Sequence, residues 1–144
     1  MPRGRPDFFG TPIHPEYGVF KHDAHNLMCA GGVWSTVHTL VANGMLLHGY
    51  FFSTDTDANK DDTFDLTVDG EDLMANTFSN MVKHGCVVSD DSILIVSEYD
   101  TITPGFYAHY KGGFSFHDNI ILKYLPAGVN NVLVVSHVFY YTWE

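Results

Sequence analysis

Apolar and polar residues alternate with a period of two along most of the chain, the signature of half-buried strands. Residues 33–41 are β-branched and carry no helical stripe; residues 45–53 follow after Asn43-Gly44, a dipeptide that favours a tight hairpin turn. Between 62 and 68, Phe64, Leu66 and Val68 take one face while Thr63, Asp65 and Thr67 take the other, and Asp69-Gly70 then turns the chain. Further strands are predicted at 93–99, 106–111 and 114–124, with a turn near Thr103-Pro104-Gly105 and Gly112-Gly113 as a separator. In 114–124 the residues Phe114, Phe116, Ile120, Leu122 and Tyr124 share one face. The stretch 131–143 is apolar on both sides, with Leu133, Val135, Phe139 and Tyr141 opposite Val132, Val134, Val138 and Tyr140. Such a strand is expected to be covered on both faces. One helix is predicted over 71–83, where Leu73, Thr77, Phe78, Met81 and Val82 fall near helical spacing. Glu71 and Asp72 at its start, Lys83 and His84 at its end, and Gly85 beyond suit the helix dipole and a C-cap. Seven or eight strands separated by turns, with one short helix, predict an all-β fold: an antiparallel β-sandwich, jelly-roll-like.

The first 18 residues break this pattern. They hold four of the six prolines together with Gly4, Gly10 and Gly18, so they suit neither a central strand nor a helix interior. The expected organisation is an extended arm at 1–18 and a sandwich domain at 19–144. Phe8, Phe9, Ile13 and Tyr17 give the arm apolar contacts that a free tail would not need, and a neighbouring subunit is the expected surface for them.

With 144 residues, the chain has the length of one domain, and its 45% hydrophobic content suffices for a real core. Charged residues at 17% and aromatics at 15% exclude a disordered chain or a coiled coil. Seven Lys and Arg against 17 Asp and Glu give a formal charge of −10, which argues against direct nucleic-acid binding. Neither a secretory signal nor a membrane-length apolar stretch is read in the sequence, which points to synthesis in a host cytoplasm. Cys29 and Cys86 stand outside any CxxC pair. Reduced, buried thiols are expected there, with a disulfide as the alternative.

The strongest local chemistry is the acidic loop from Asp55 to Asp62. Positions 1, 3, 5 and 7 of a calcium loop would fall on Asp55, Asp57, Asn59 and Asp61. Lys60, however, stands where the sharp turn needs Gly, and Leu66 where a bidentate Glu belongs. A solvated hairpin tip accounts for the same residues and is the preferred reading, so no cofactor is expected beyond this candidate calcium. The nine His include no HxH pair, although His22 and His25 flank Asp23. His38, His48, His109, His117 and His137 each stand alone inside a strand, as hydrogen-bonded packing residues do. Nucleophile-elbow and phosphate-loop motifs are lacking, and Glu98, Asp100 and Asp118 show no spacing that favours a catalytic pair. An enzyme is not expected. Tyr50, Phe51 and Phe52 are consecutive, so at least one must face away from the core. Such outward rings, with others among Tyr107, Tyr110, Tyr140, Tyr141 and Trp143, would serve a subunit interface or a sugar-stacking platform.

The opening Met1-Pro2-Arg3-Gly4-Arg5-Pro6-Asp7-Phe8-Phe9-Gly10, with Pro15-Glu16-Tyr17-Gly18 soon after, resembles the start of small structural proteins in tailed-phage virions. The later order is similar to theirs as well: a strand ending at Asp69-Gly70 and Glu71, a Tyr-rich hairpin, Phe114-Ser115-Phe116 leading an apolar strand, and a Tyr-rich last strand. The resemblance implies a bacteriophage structural protein located in the virion, as capsid decoration, fibre or tail component. Its partners would be copies of itself and other virion proteins, joined through sheet edges, the arm and exposed aromatics. The alternative is a carbohydrate-binding module or receptor-binding protein of the same fold, with a glycan as partner.

Overall fold

The computed structural model describes residues 18–54, 62–83, 94–100 and 105–142. Among the described residues, nine strands and one helix follow in order: β1 (Val19–Cys29), β2 (Ser35–Val41), β3 (Gly44–Ser53), β4 (Thr63–Val68), β5 (Glu71–Thr77), α1 (Phe78–Lys83), β6 (Leu94–Asp100), β7 (Gly105–Phe116), β8 (Asn119–Leu125) and β9 (Val132–Thr142). They form a five-stranded sheet, β1-β9-β3-β7-β6, and a four-stranded sheet, β2-β8-β4-β5. Every pairing is antiparallel. The pairs β1–β9, β2–β8, β3–β7 and β4–β5 are nested like one long folded hairpin wound across two sheets, which makes the sandwich jelly-roll-like. β6 lengthens the five-stranded sheet beyond β7.

Alternation in the sequence becomes alternation in burial. Phe64, Leu66 and Val68 of β4, with Leu122 and Tyr124 of the adjacent β8, face Phe51 of β3 and Val134 and Val138 of β9 across the core. Phe51 and Phe64 meet edge-on at 5.3 Å, and Phe78 of α1 meets Phe64 at 5.1 Å. Each such ring contributes roughly 1.5–3 kcal/mol by leaving water. Asp62 also enters the core. It is fully buried, and its carboxylate accepts hydrogen bonds from the Tyr124 hydroxyl (2.7 Å) and the Ala127 amide (2.8 Å). It thus belongs to the core and not to a solvated loop tip.

Four sequence expectations are corrected. Residues 19–29 form β1, which no alternation announced. It is an edge strand exposed along most of its length, so neither face had to be apolar. Residues 71–77 are β5 and only 78–83 are helical. Asp69 and Gly70 take positive φ values of 52° and 85°, the conformation of a tight hairpin, and commit the next residues to pair with β4. What remains of the helical stripe is Phe78 and Met81, both buried, behind a cap in which the Thr77 hydroxyl accepts the Asn80 amide at 3.2 Å.

The predicted strand 114–124 is divided between β7 and β8, which lie in different sheets. The Asp69 carboxylate fixes the turn between them, accepting the amides of His117, Asp118 and Asn119 at 2.7–3.1 Å. These donors hold it below the usual carboxylate range.

Gly112-Gly113 does not separate strands but forms a bulge inside β7, two residues opposite Leu47 alone. Gly113 has φ 99°, and a side chain at Gly112 would collide with the Leu47 carbonyl. Gly112→Ala should therefore force β3 and β7 apart and lower stability by about 2 kcal/mol or more. Thermal melts check this, and an unchanged midpoint would contradict the bulge.

Candidate functional site: a ring-lined sheet face and a histidine–carboxylate corner

The two outer sheet faces differ in chemistry. The four-stranded sheet presents mainly polar residues, among them Thr63, Asp65 and Thr67 of β4 and Asn119 and Lys123 of β8. The five-stranded sheet presents rings. Of the three consecutive aromatics in β3, Phe51 is buried while Tyr50 and Phe52 turn outward, as their spacing required. β9 adds His137 and Phe139, β1 adds Phe20 and His22, and β7 adds Tyr107 and His109.

These rings stack across the strands. His22 and His137 lie parallel at 5.1 Å, His137 and Tyr50 at 4.9 Å, Tyr50 and Tyr107 at 5.6 Å, and Tyr107 and Phe52 at 6.1 Å. A second row runs from Phe20 through Phe139 and His48 to His109 at 6.0–6.3 Å. The strand spacing of roughly 4.8 Å is near the stacking distance of flat rings, so one ring per strand produces a ladder. On the outer side of β9, Leu133, Val135, His137 and Phe139 are half-buried by these neighbours and Tyr141 is buried, while Phe20 at the sheet edge remains 50% exposed. The expectation that β9 is covered on both faces is thus met fully only on the inner one.

The second constellation lies where β1 and β2 approach each other. Asp23 and His25 occupy alternate positions of β1, and His38 reaches them from β2 in the other sheet. His38 is buried, with Nε2 2.8 Å from Asp23 Oδ2 and Nδ1 2.9 Å from Ser136 Oγ. Ser136 is itself fully buried on the inner face of β9. The His25 ring lies 4.7 Å from that of His38. One potential ligand atom from each of Asp23, His25 and His38 lies within 4.8 Å of the others. His38 is the buried, hydrogen-bonded packing residue that was expected, but it does not stand alone: it joins a cluster across two strands. The alternation Asp23-x-His25 was the only trace of this in the sequence.

Burial depresses the His38 pKa, with Asp23 opposing in part, and burial next to His48 depresses that of His109. The unfolded chain takes up these protons first, near pH 6.5. Stability is thus expected to be full above that pH and to fall as pH drops through it, with a further loss below about pH 4 as Asp69 protonates. Melting midpoints from pH 8 to 3 check this; a flat or rising profile between pH 8 and 5 would contradict the histidine assignments.

The predicted arm contacts Phe8, Phe9, Ile13 and Tyr17 and the predicted calcium ligands Asp55, Asp57, Asn59 and Asp61 lie outside the described residues. So does Cys86, whereas Cys29 is a free, buried thiol whose pKa burial raises. No helix among the described residues is long and apolar enough to cross a membrane.

No family model matches the chain, and no curated protein does. Among solved structures, 99% of the chain is similar to 99% of a chain in the "Cyanophage Pam1 capsid asymmetric unit", with a TM-score of 0.52 and 16% identity. A weaker likeness, to dimeric latent PorU from Porphyromonas gingivalis, spans 88% of this chain and 13% of that one, with a TM-score of 0.43 and 11% identity. The virion resemblance read from the sequence thus has a structural counterpart: over nearly its whole length, the chain shares its fold with a chain of a phage capsid.

Proposed function

We propose that the protein is a non-enzymatic structural component of a phage particle, assembling with copies of itself through the ring-lined face of the five-stranded sheet and its edges. The end-to-end fold likeness to a phage capsid chain carries this reading. The difference between the two sheet faces supports it. A chain of charge −10 repels its own copies, so contacts between copies need surface that is apolar and poor in carboxylates. The ring-lined face is of that kind. The edge strand β1 adds a row of backbone groups that a neighbour can pair.

Glycan binding finds less support. A sugar stacks on an open ring face, and Tyr50 has a parallel ring on each side, His137 and Tyr107. Light scattering coupled to size exclusion tests the proposal, together with mass spectrometry of purified particles from the encoding phage. A stable multimer in solution and many copies per particle are expected. A strict monomer at high concentration that is missing from particles would refute it.

A further inference from the structure

We infer that Asp23, His25 and His38 form a zinc site that clamps the edge strand β1 to the opposite sheet. The donor set is two imidazoles and one carboxylate, which suits a borderline first-row ion such as Zn²⁺ better than calcium or magnesium, which take oxygen alone. The three potential ligand atoms already lie within 4.8 Å of one another. Tetrahedral zinc with bonds of about 2.0–2.1 Å needs separations of about 3.4 Å, so the 2.8 Å His38–Asp23 pair must open slightly while the wider separations close, adjustments that side-chain rotation can supply. His25 is exposed and Asp23 half-buried, so both have room to turn.

His38 is the fixed point. Its Nε2 faces Asp23, and its Nδ1 is held by the buried Ser136 hydroxyl. That hydroxyl donates to Nδ1 when Nε2 carries the proton, and accepts from Nδ1–H when Nε2 binds a metal. Ser136 thus supports the ligating tautomer, as the hydrogen-bond partners behind metal-bound histidines do. With three protein ligands the fourth position would go to water, which the exposed His25 leaves room to enter. Because β1 and β2 belong to different sheets, the ion would join the two layers at a corner where, among the described residues, β1 has a strand neighbour on one side only.

The test uses the full-length chain stripped with chelator, then titrated with zinc chloride by calorimetry and followed by thermal melts. One zinc per chain and a midpoint raised by about 5–10 °C at saturation are expected. His25→Ala and Asp23→Asn should each weaken binding by about 30-fold or more, relative to the 10–100-fold typical of partners behind the ligands. Metal-free midpoints of the variants verify folding, and the exposed His25 is the substitution least able to disturb it. His22→Ala, which removes the neighbouring imidazole on the opposite face of β1, should bind zinc as the wild type does. No stoichiometric binding to the wild type would overturn the assignment. Unweakened binding in both site variants, or loss in His22→Ala equal to theirs, would do so as well.

Discussion

A chain carrying Phe20→Glu together with Tyr50→Glu is expected to run as a folded monomer under conditions in which the wild type assembles. Phe20 is half-exposed at the sheet edge, and Tyr50 stands in the middle of the ring ladder. Truncating one aromatic anchor at the centre of an interface typically costs about 2 kcal/mol or more, which is about a 30-fold weakening. Two such losses, with two carboxylates added to an already acidic surface, should weaken association by about a thousandfold. The fold should survive, because both side chains lie on the outer face and lose only stacking worth about 0.5–1.5 kcal/mol per pair. Light scattering reads the mass, and circular dichroism confirms the strands. If the double variant keeps the wild-type mass, the ring-lined face is not the contact surface.

Asp62→Ala should produce the largest loss of stability, about 3–5 kcal/mol. The substitution leaves the buried Tyr124 hydroxyl and the Ala127 amide without their acceptor. The fully buried Tyr124 hydroxyl costs about 1–3 kcal/mol when it loses this acceptor, the amide of the exposed Ala127 costs less because it can turn to water, and the vacated space adds to both. Against a total of about 5–15 kcal/mol for a domain, such a variant is close to unfolding at ambient temperature. Asp62→Asn keeps an acceptor oxygen and most of the volume, so its loss should be less than half as large. Urea denaturation of the two variants provides the comparison. Equal effects would mean that the carboxylate's second acceptor, rather than burial of an acceptor as such, carries the energy.

How much of the molecule was readable in the sequence depended on how each segment is buried. β4 was legible because one of its faces enters the core and the other does not, so Phe64, Leu66 and Val68 alternate with polar residues. β3 was legible for the same reason, and the triplet Tyr50-Phe51-Phe52 even announced that rings point outward. β1 was not. An edge strand exposed on most sides imposes no pattern on its residues, and its polar run of Lys21, His22, Asp23, His25 and Asn26 resembles a loop. In residues 71–83 the near-helical spacing of Leu73, Thr77, Phe78, Met81 and Val82 competed with the turn at Asp69-Gly70. Pairing with β4 prevailed up to Thr77, because a hairpin satisfies backbone groups one residue at a time from the turn outward.

Composition and alternation alone specified the class of fold, the two-sided last strand and an excess of rings over what a core of this size absorbs. Which rings share a row was set by register: Tyr50 opposite His137 in one pairing and Phe52 opposite Tyr107 in another. The meeting of Asp23 and His25 with His38 was likewise decided by the winding of β1 and β2 into different sheets at a common corner. Local patterning encodes which side of a strand is dry. It holds no information about which distant strand lies alongside, because that depends on the sum of all pairings and is reached only when the chain closes on itself.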